Sequence, residues 1–127
     1  MIKIIKNYTS FNDKRGKMIG LINEGNWQEL NFFETEPNQI RGGHFHKFTD
    51  ELFIILNGKI KVKSSKVDLN NQLVGRTINQ IVTKGDVFII PKLTHHTFEI
   101  LEKSEWINAL SLRLSDNDPD IHKIEKD

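Results

Sequence analysis

A chain of 127 residues without a cysteine has room for one hydrophobic core and forms no disulfide, thiolate metal site or thiol nucleophile. Eighteen Lys and Arg against seventeen Asp and Glu give a formal charge of +1, too small for a global field that draws nucleic acid or an anionic membrane, so any anion site must be local. No apolar run approaches the ~20 residues of a membrane span and the start has no signal-peptide core; the expectation is a soluble, cytoplasmic, single-domain protein over residues 1–127, with its core at 11–114 and a charged tail at 115–127.

In chain order the elements read as short strands. Residues 2–5 and 17–22 are β-rich and flank the polar hinge 12–16, which suggests a hairpin between them. Residues 23–26 form a second turn, 27–33 a third strand, and 34–39, with Pro37, a loop leading into Ile40 and Arg41. Strands follow at Phe45, 51–56 and 59–63, with Asn57-Gly58 as the turn between the last two. Ile60 and Val62 alternate with lysines as on a half-exposed strand. Residues 64–71 are the least apolar stretch and read as a long surface loop; 77–82, 86–91, 97–101 and 106–114 complete the series. Apolar residues nowhere recur at helical spacing, so the fold class is all-β, a sandwich or barrel with little helix.

The chemistry concentrates in residues 41–58. His44 and His46 are one residue apart, so on an extended strand both point to one face and Phe45 to the other. Glu51 follows at the head of the apolar run 52–56. Two imidazoles and a carboxylate converging from paired strands make a three-ligand half-shell for a divalent metal, which needs a fourth ligand from elsewhere. Taken alone, His44 and His46 are an ordinary pair of polar strand positions. A second stretch begins with the tight turn Gly85-Asp86, runs through a buried strand at 87–90, and reaches Pro91, which ends ladder pairing and lets the chain bend inward. His95 and His96 are adjacent, so only one of them faces an interior, and Phe98 and Ile100 share the face of His96.

The pattern Gly43-His44-x-His46-x4-Glu51-x6-Gly58, then Gly85-x5-Pro91-x4-His96, resembles the two signature motifs of the cupin superfamily in residue type, order and spacing. That resemblance implies a small double-stranded β-barrel of the jelly-roll kind, with His44, His46, Glu51 and His96 as metal ligands in its mouth. Spacing favours His96 over His95. The family usually has an earlier glycine in the first motif, a glycine at the place of Leu93 and an asparagine at that of Ile100, so the turn before His96 is expected to differ. Such a site accepts zinc, nickel, manganese, iron or cobalt, and zinc is placed first.

The flanks narrow the resemblance. Asp13-Lys14-Arg15-Gly16 before a strand, Arg41-Gly42-Gly43 before the histidines, and Glu51-x-Phe53 leading to Asn57-Gly58 resemble nucleotide-sugar cupins of bacterial surface-polysaccharide pathways. Two groups are similar over about residues 11–120: the dTDP-sugar 3,4-ketoisomerases, and the C-terminal cupin domain of bifunctional capsular-polysaccharide epimerase/reductases, whose tail 111–120 echoes. Ketoisomerases generally lack a carboxylate at the Glu51 position and carry tyrosines where residues 30–33 stand. This chain has Glu51 and a single tyrosine, Tyr8, and so is more similar to the metal-containing group.

The resemblance implies an isomerase that abstracts a proton beside the ketone of a 4-keto-6-deoxyhexose nucleotide, giving an epimer or a keto-isomer. Candidates for the base are Glu51, His95, Lys47, Asp50 and a metal-bound hydroxide; without a metal, His44 and His46 handle protons directly. Arg15 and Arg41, each beside glycine, are candidates for binding substrate phosphate, against the alternative of surface ion pairs. The aromatics read mostly as core. A homodimer paired through the outer sheet is expected, because exposed strand edges need cover. Two other functions stay open: a non-catalytic module that binds metal or sugar, and an Fe(II)-dependent oxygenase.

Overall fold

The computed structural model describes residues 2–115 and 117–124, and among these it contains no helix. Two 17-residue strands set the architecture. β1 (Lys3–Ile5), β2 (Thr9–Asp13), β3 (Gly16–Gly20), β4 (Glu29–Thr35) and β5 (Ile40–His44) precede the first of them, β6 (Glu51–Val67); β7 (Leu73–Thr83) and β8 (Val87–Ile90) separate it from the second, β9 (Thr94–Leu110). β6 and β9 pair antiparallel from Glu51 opposite Leu110 to Lys66 opposite Thr94. Fully extended, such a ribbon would reach about 55 Å, against a diameter of about 35 Å for a compact chain of this length. It therefore bends, and the bend lies where the register shifts between Ile55 and Ile60.

The bend divides the ribbon between two layers. The first half of β6 and the second half of β9 carry β8 with β1 on one side and β4 on the other. The second half of β6 carries β7, and the first half of β9 carries β5. The space between the layers is filled from both. Phe53, Ile55, Phe88, Ile90 and Trp106 come from the first, and Ile60, Val62, Val82, Phe98 and Ile100 from the second. Phe53 and Phe98 meet with ring centroids 5.0 Å apart, and Phe98 and Trp106 at 5.6 Å. A smaller cluster of Leu52, Val87 and Ala109, with Ile5, Leu21, Ile22 and Trp27 packed on it, covers the outside of the first layer. The whole is a jelly roll, as the all-β reading expects.

Several expected boundaries move for identifiable reasons. Residues 2–5 do not form a hairpin with 17–22: β1 pairs with β8, Lys3 opposite Ile89. The polar hinge instead joins β2 to β3, Asp13 opposite Gly16, in a two-stranded sheet of its own. Asn57-Gly58 is not a turn. Gly58 has φ +102°, and the strand runs on through it as a bulge, so 51–56, 59–63 and the first half of the expected loop 64–71 are one element. Ser64 and Ser65 are buried there, and the turn is confined to the bonds between Asp68 and residues 70–72. Likewise 97–101 and the first part of 106–114 are one strand, which ends at Leu110, so the expected strand does not continue through 111–114. Leu93, at the family's glycine position, itself takes φ +60°, the left-handed conformation a glycine enters freely. Its amide donates to the His46 carbonyl at 2.7 Å and its carbonyl accepts from Val67 at 2.9 Å, which hold it there. The tail folds back: Phe45 and His122 exchange backbone bonds at 3.0 Å. Residues 116 and 125–127 of that tail lie outside the described residues.

At the bend Gly58 packs against the returning strand. A methyl group there would meet Ser104 Oγ, lie 2.6 Å from the Lys103 carbonyl oxygen, and force a side chain into positive φ. Gly58→Ala is expected to lower stability by about 2–4 kcal/mol, measured as a fall in the midpoint of denaturant unfolding with the slope unchanged.

Candidate functional site

The bent ribbon places Glu51 and His96 on facing layers at one mouth of the jelly roll. Glu51 opens β6, with Phe53 and Ile55 on the same inward face, and His96 stands near the start of β9 opposite His44 at the end of β5. Beyond β5 the chain leaves regular pairing and returns to β6 through residues 47–50, so His46 enters the same space from a loop. One ligand atom from each of His44, His46, Glu51 and His96 lies within 4.8 Å of the others. The imidazole centroids are 4.8–6.0 Å apart, with His44 edge-on to both other rings.

Backbone carbonyls fix which nitrogens face inward. His46 Nδ1–H donates to the Asp120 carbonyl at 2.6 Å and His96 Nδ1–H to the Thr94 carbonyl at 3.2 Å; a carbonyl only accepts, so Nε2 is the nitrogen turned toward Glu51 and carries the lone pair whenever the ring is neutral. Glu51 Oε2 accepts a bond from Asn108 Nδ2 at 2.9 Å. Its Oε1 lies 2.7 Å from His46 Nε2 and 3.3 Å from His96 Nε2. The 2.7 Å approach lacks hydrogen-bond alignment, so His46 Nε2 and Glu51 Oε1 are buried polar atoms without a hydrogen-bond partner. Leaving two such atoms unsatisfied is costly. Nitrogen and oxygen lone pairs converging in a largely buried cluster suit a divalent cation, so the donor set fits one.

The electrostatics follow from burial and the shared carboxylate. Burial works against the Glu51 charge, but the imidazoles of His46 and His96 outweigh it and hold the carboxyl well below its usual range. Burial likewise opposes a charge on His46, and Glu51 with the Asp120 carbonyl overcomes it, raising that imidazole. His44 behaves oppositely. Burial, with His96 and His46 beside it, pushes it down to about 4. One ring is thus kept neutral beside an imidazole–carboxylate pair.

A cavity of about 240 Å³ opens onto this cluster, walled by His44, Glu51 and His96 on one side and by Arg41, Phe33 and Trp106 on the other. Arg41 is braced: Nε donates to Thr35 Oγ1 at 2.8 Å and the guanidinium lies 5.1 Å above the Phe33 ring, which stacks on Trp106 at 5.3 Å. Arg15 does not join it. It sits on the β2–β3 hairpin with its guanidinium 2.7 Å from Asp13, largely in solvent. Lys47, Asp50 and His95 also lie off the cavity. The Asp50 carboxylate caps the Lys92 amide at 2.9 Å, the Lys47 amide is held by Asp120, and His95, half-buried, faces the other side of β9, where burial and His96 lower it. Sequence reasoning missed Asn108 and Asp120. Neither belongs to a motif, and they meet the site across 57 and 74 residues of chain. The echo of the family tail in residues 111–120 was the one signal for Asp120.

Comparison with known proteins agrees with this architecture. Residues 11–113 match the family described as the polysaccharide biosynthesis C-terminal domain. A UDP-2-acetamido-2,6-beta-L-arabino-hexul-4-ose reductase of Pseudomonas aeruginosa is 29% identical over 87 residues, 65% of this chain and 22% of that protein. The capsular polysaccharide assembling protein CapF of Staphylococcus aureus superposes with a TM-score of 0.69 at 22% identity, covering 93% of this chain and 34% of CapF. The WlaRB TDP-quinovose 3,4-ketoisomerase of Campylobacter jejuni superposes with a TM-score of 0.76 at 17% identity, covering 96% and 92%. The chain thus spans about a fifth of the reductase and a third of CapF. The structural likenesses establish the cupin jelly-roll fold.

The neutral state of His44 has a measurable consequence. The unfolded chain takes up a proton on this residue near its ordinary value of 6.5 and the folded chain only near 4, so folding stability falls as pH drops through that window. In chelator-treated protein, His44→Gln is expected to show a smaller loss of thermal midpoint between pH 6.5 and 4 than the wild type. Equal slopes would mean the ring is not held neutral.

Proposed function

The chain belongs to the polysaccharide biosynthesis C-terminal domain family, and from that premise we propose that it is a nucleotide-sugar epimerase or isomerase acting on a 4-keto-6-deoxyhexose nucleotide in surface-polysaccharide synthesis. The observation that carries this reading is a single cavity in which a braced arginine faces the His44, Glu51, His96 cluster. Its relatives act on related chemistry: one is a hexulose reductase with a UDP-linked substrate and one a TDP-sugar ketoisomerase. A cytoplasmic location goes with this reading as part of the proposal.

Arg41 binds. With Nε committed to Thr35, its terminal nitrogens are presented as a fork that matches two phosphate oxygens, and the Phe33 face keeps the fork from swinging. His44, His46, Glu51 and His96 would hold a divalent ion, zinc first and nickel, manganese, iron or cobalt otherwise. When bound, such an ion supplies Lewis-acid stabilisation of the negative charge that develops on the keto oxygen. The proton leaves the carbon beside the ketone and its electron pair enters the carbon–carbon bond; a proton returned to the opposite face gives the epimer, and relocation through the enediol gives the keto-isomer. Among the candidate bases, Glu51 lines the cavity, whereas Lys47, Asp50 and His95 do not.

A second reading rests on His44. Held neutral and lining the cavity, it accepts the proton itself in a metal-free site, with the His46–Glu51 pair beside it. Pairing of two copies suits the surface. Phe11 and Met18 on the separate hairpin and Leu30 and Phe32 on the outer face of β4 are all more than half exposed, a set of apolar side chains that a partner copy would cover.

The test is solvent exchange. UDP- and dTDP-linked 4-keto-6-deoxyhexoses incubated with the protein in deuterated water are expected to gain deuterium at C3 or C5, and Glu51→Gln to slow that exchange by ~100-fold or more. Metal analysis of the purified protein separates the readings. Exchange with a stoichiometric ion supports the first, and exchange without any supports His44 as base. A metal-loaded protein that exchanges nothing is a binding module, and oxygen uptake that needs Fe(II) would mark an oxygenase.

A further inference from the structure

Residues 117–122 follow the last strand and return across the molecule to the segment that joins His46 to Glu51. Asp120 is the contact. It is 8% exposed and stands at φ +53°, a conformation that Asp and Asn tolerate better than most side chains. Every polar group it has is engaged. Its amide donates to Asp118 Oδ1 at 3.2 Å, and its carbonyl accepts from His46 Nδ1–H. Its carboxylate gathers the Lys47 amide at 3.0 Å, the Phe48 amide at 2.9 Å, the Thr49 hydroxyl at 2.9 Å and His122 Nε2 at 2.9 Å. Two residues after Asp120, His122 closes the arrangement by exchanging backbone bonds with Phe45 and packing on that ring at 5.5 Å.

The two buried histidines differ in what holds them. His96 donates to a carbonyl two residues away on its own strand, at 3.2 Å, so its ring is set by local backbone. His46 lies outside any strand, and its partner is 74 residues distant at 2.6 Å. Without that partner the ring is free to rotate or to place its proton on Nε2, which would turn an N–H toward Glu51 and His96 in place of a lone pair. The carboxylate of Asp120 does not touch the site. It fastens the loop 47–49, and so keeps its own carbonyl over His46.

We propose that Asp120 is a positioning residue for the site: through its carboxylate it clasps residues 47–49, through its carbonyl it fixes the His46 ring with the proton on Nδ1, and His46 becomes competent for a divalent cation only when the chain end is docked. Ordering a ligand through the hydrogen bond on its other nitrogen commonly changes metal affinity by ~10–100-fold. The coupling is reciprocal, so a bound ion tightens the chain end in turn.

Two readouts test this on the full chain. In chelator-treated protein, with the pH raised until the His46 ring has lost its charge, nitrogen-15 NMR is expected to show the Nδ1–H form in the wild type and a mixture of tautomers in Asp120→Gly. That substitution leaves the backbone conformation accessible while removing the carboxylate. Competition with a chelator for Zn²⁺ is expected to show a 10–100-fold loss for Asp120→Gly, and a smaller one for Asp120→Asn, which keeps one acceptor oxygen. Should Asp120→Gly not fold, Thr49→Val, which deletes one donor to the carboxylate, is read the same way with a smaller shift. Unchanged tautomer and unchanged affinity in folded variants, or an Nε2–H ring in the wild type, would overturn the proposal. The affinity arm rests on the metal reading and the tautomer arm does not. A wild type that binds no divalent ion but shows the expected tautomers sinks the metal and leaves the clasp, whereas tight binding untouched by substitution at Asp120 or Thr49 does the reverse.

Discussion

Glu51 is an ionised side chain 7% exposed to solvent, where the loss of hydration costs several kcal/mol unless partners replace it. The partners come from every part of the chain. His46 reaches it from the loop before β6, His96 from the start of β9, and Asn108 from the far end of the same strand. Asn108 is itself held through its side-chain oxygen by Asn31 on β4 at 3.3 Å. One carboxylate therefore ties both layers of the jelly roll together at the mouth, and the energetic demand of that group and the geometry of the site are the same fact. Removing one neighbour leaves a buried charge with less compensation.

That convergence depends on the bend in the β6–β9 ribbon. Straight, the ribbon would carry Glu51 and His96 about 45 Å apart along the strand direction, since they pair near opposite ends. Folded at Gly58, it brings them to 3.3 Å. The position has glycine because the strand returning at Lys103 and Ser104 occupies the space a side chain would need. The core aromatics then do for the fold what the carboxylate does at the mouth: Phe53, Phe98 and Trp106 interlock the two halves behind the site, and Trp106 in turn supports the Phe33 ring on which Arg41 rests. Core packing and ligand positioning are continuous.

The two arginines show how little a local pattern says about placement. Both stand next to glycine, Arg15 in the β2–β3 turn and Arg41 on β5. Arg41 is drawn into the cavity wall by Thr35 and Phe33, partners on a neighbouring strand, while Arg15 satisfies itself with Asp13 two residues away. A nearby carboxylate is enough to keep an arginine in a hairpin turn, and it gives nothing for a ligand. The same holds for Asp50, whose carboxylate is used to cap the Lys92 amide within the second motif.

What the sequence by itself determined is what depends on residue type and short spacing. The all-β class followed from period-two alternation and frequent turn residues, and the four site residues followed from His44, His46, Glu51 and His96 standing at fixed distances from glycines and Pro91, a pattern similar to a known family. Strand continuity was hidden, because Asn57-Gly58 carries the same signal in a turn and in a bulge, and only the opposing strand decides which one forms. The pairing of β1 with β8 was equally hidden, since any short apolar strand reads alike until a sheet edge accepts it. Tertiary structure alone decided that Arg41 faces the site and Arg15 does not, that Asn108 takes one oxygen of Glu51, and that Asp120 returns from the chain end to hold His46. These are contacts across tens of residues, and a hydrogen bond depends on distance in space, which spacing along the chain does not encode.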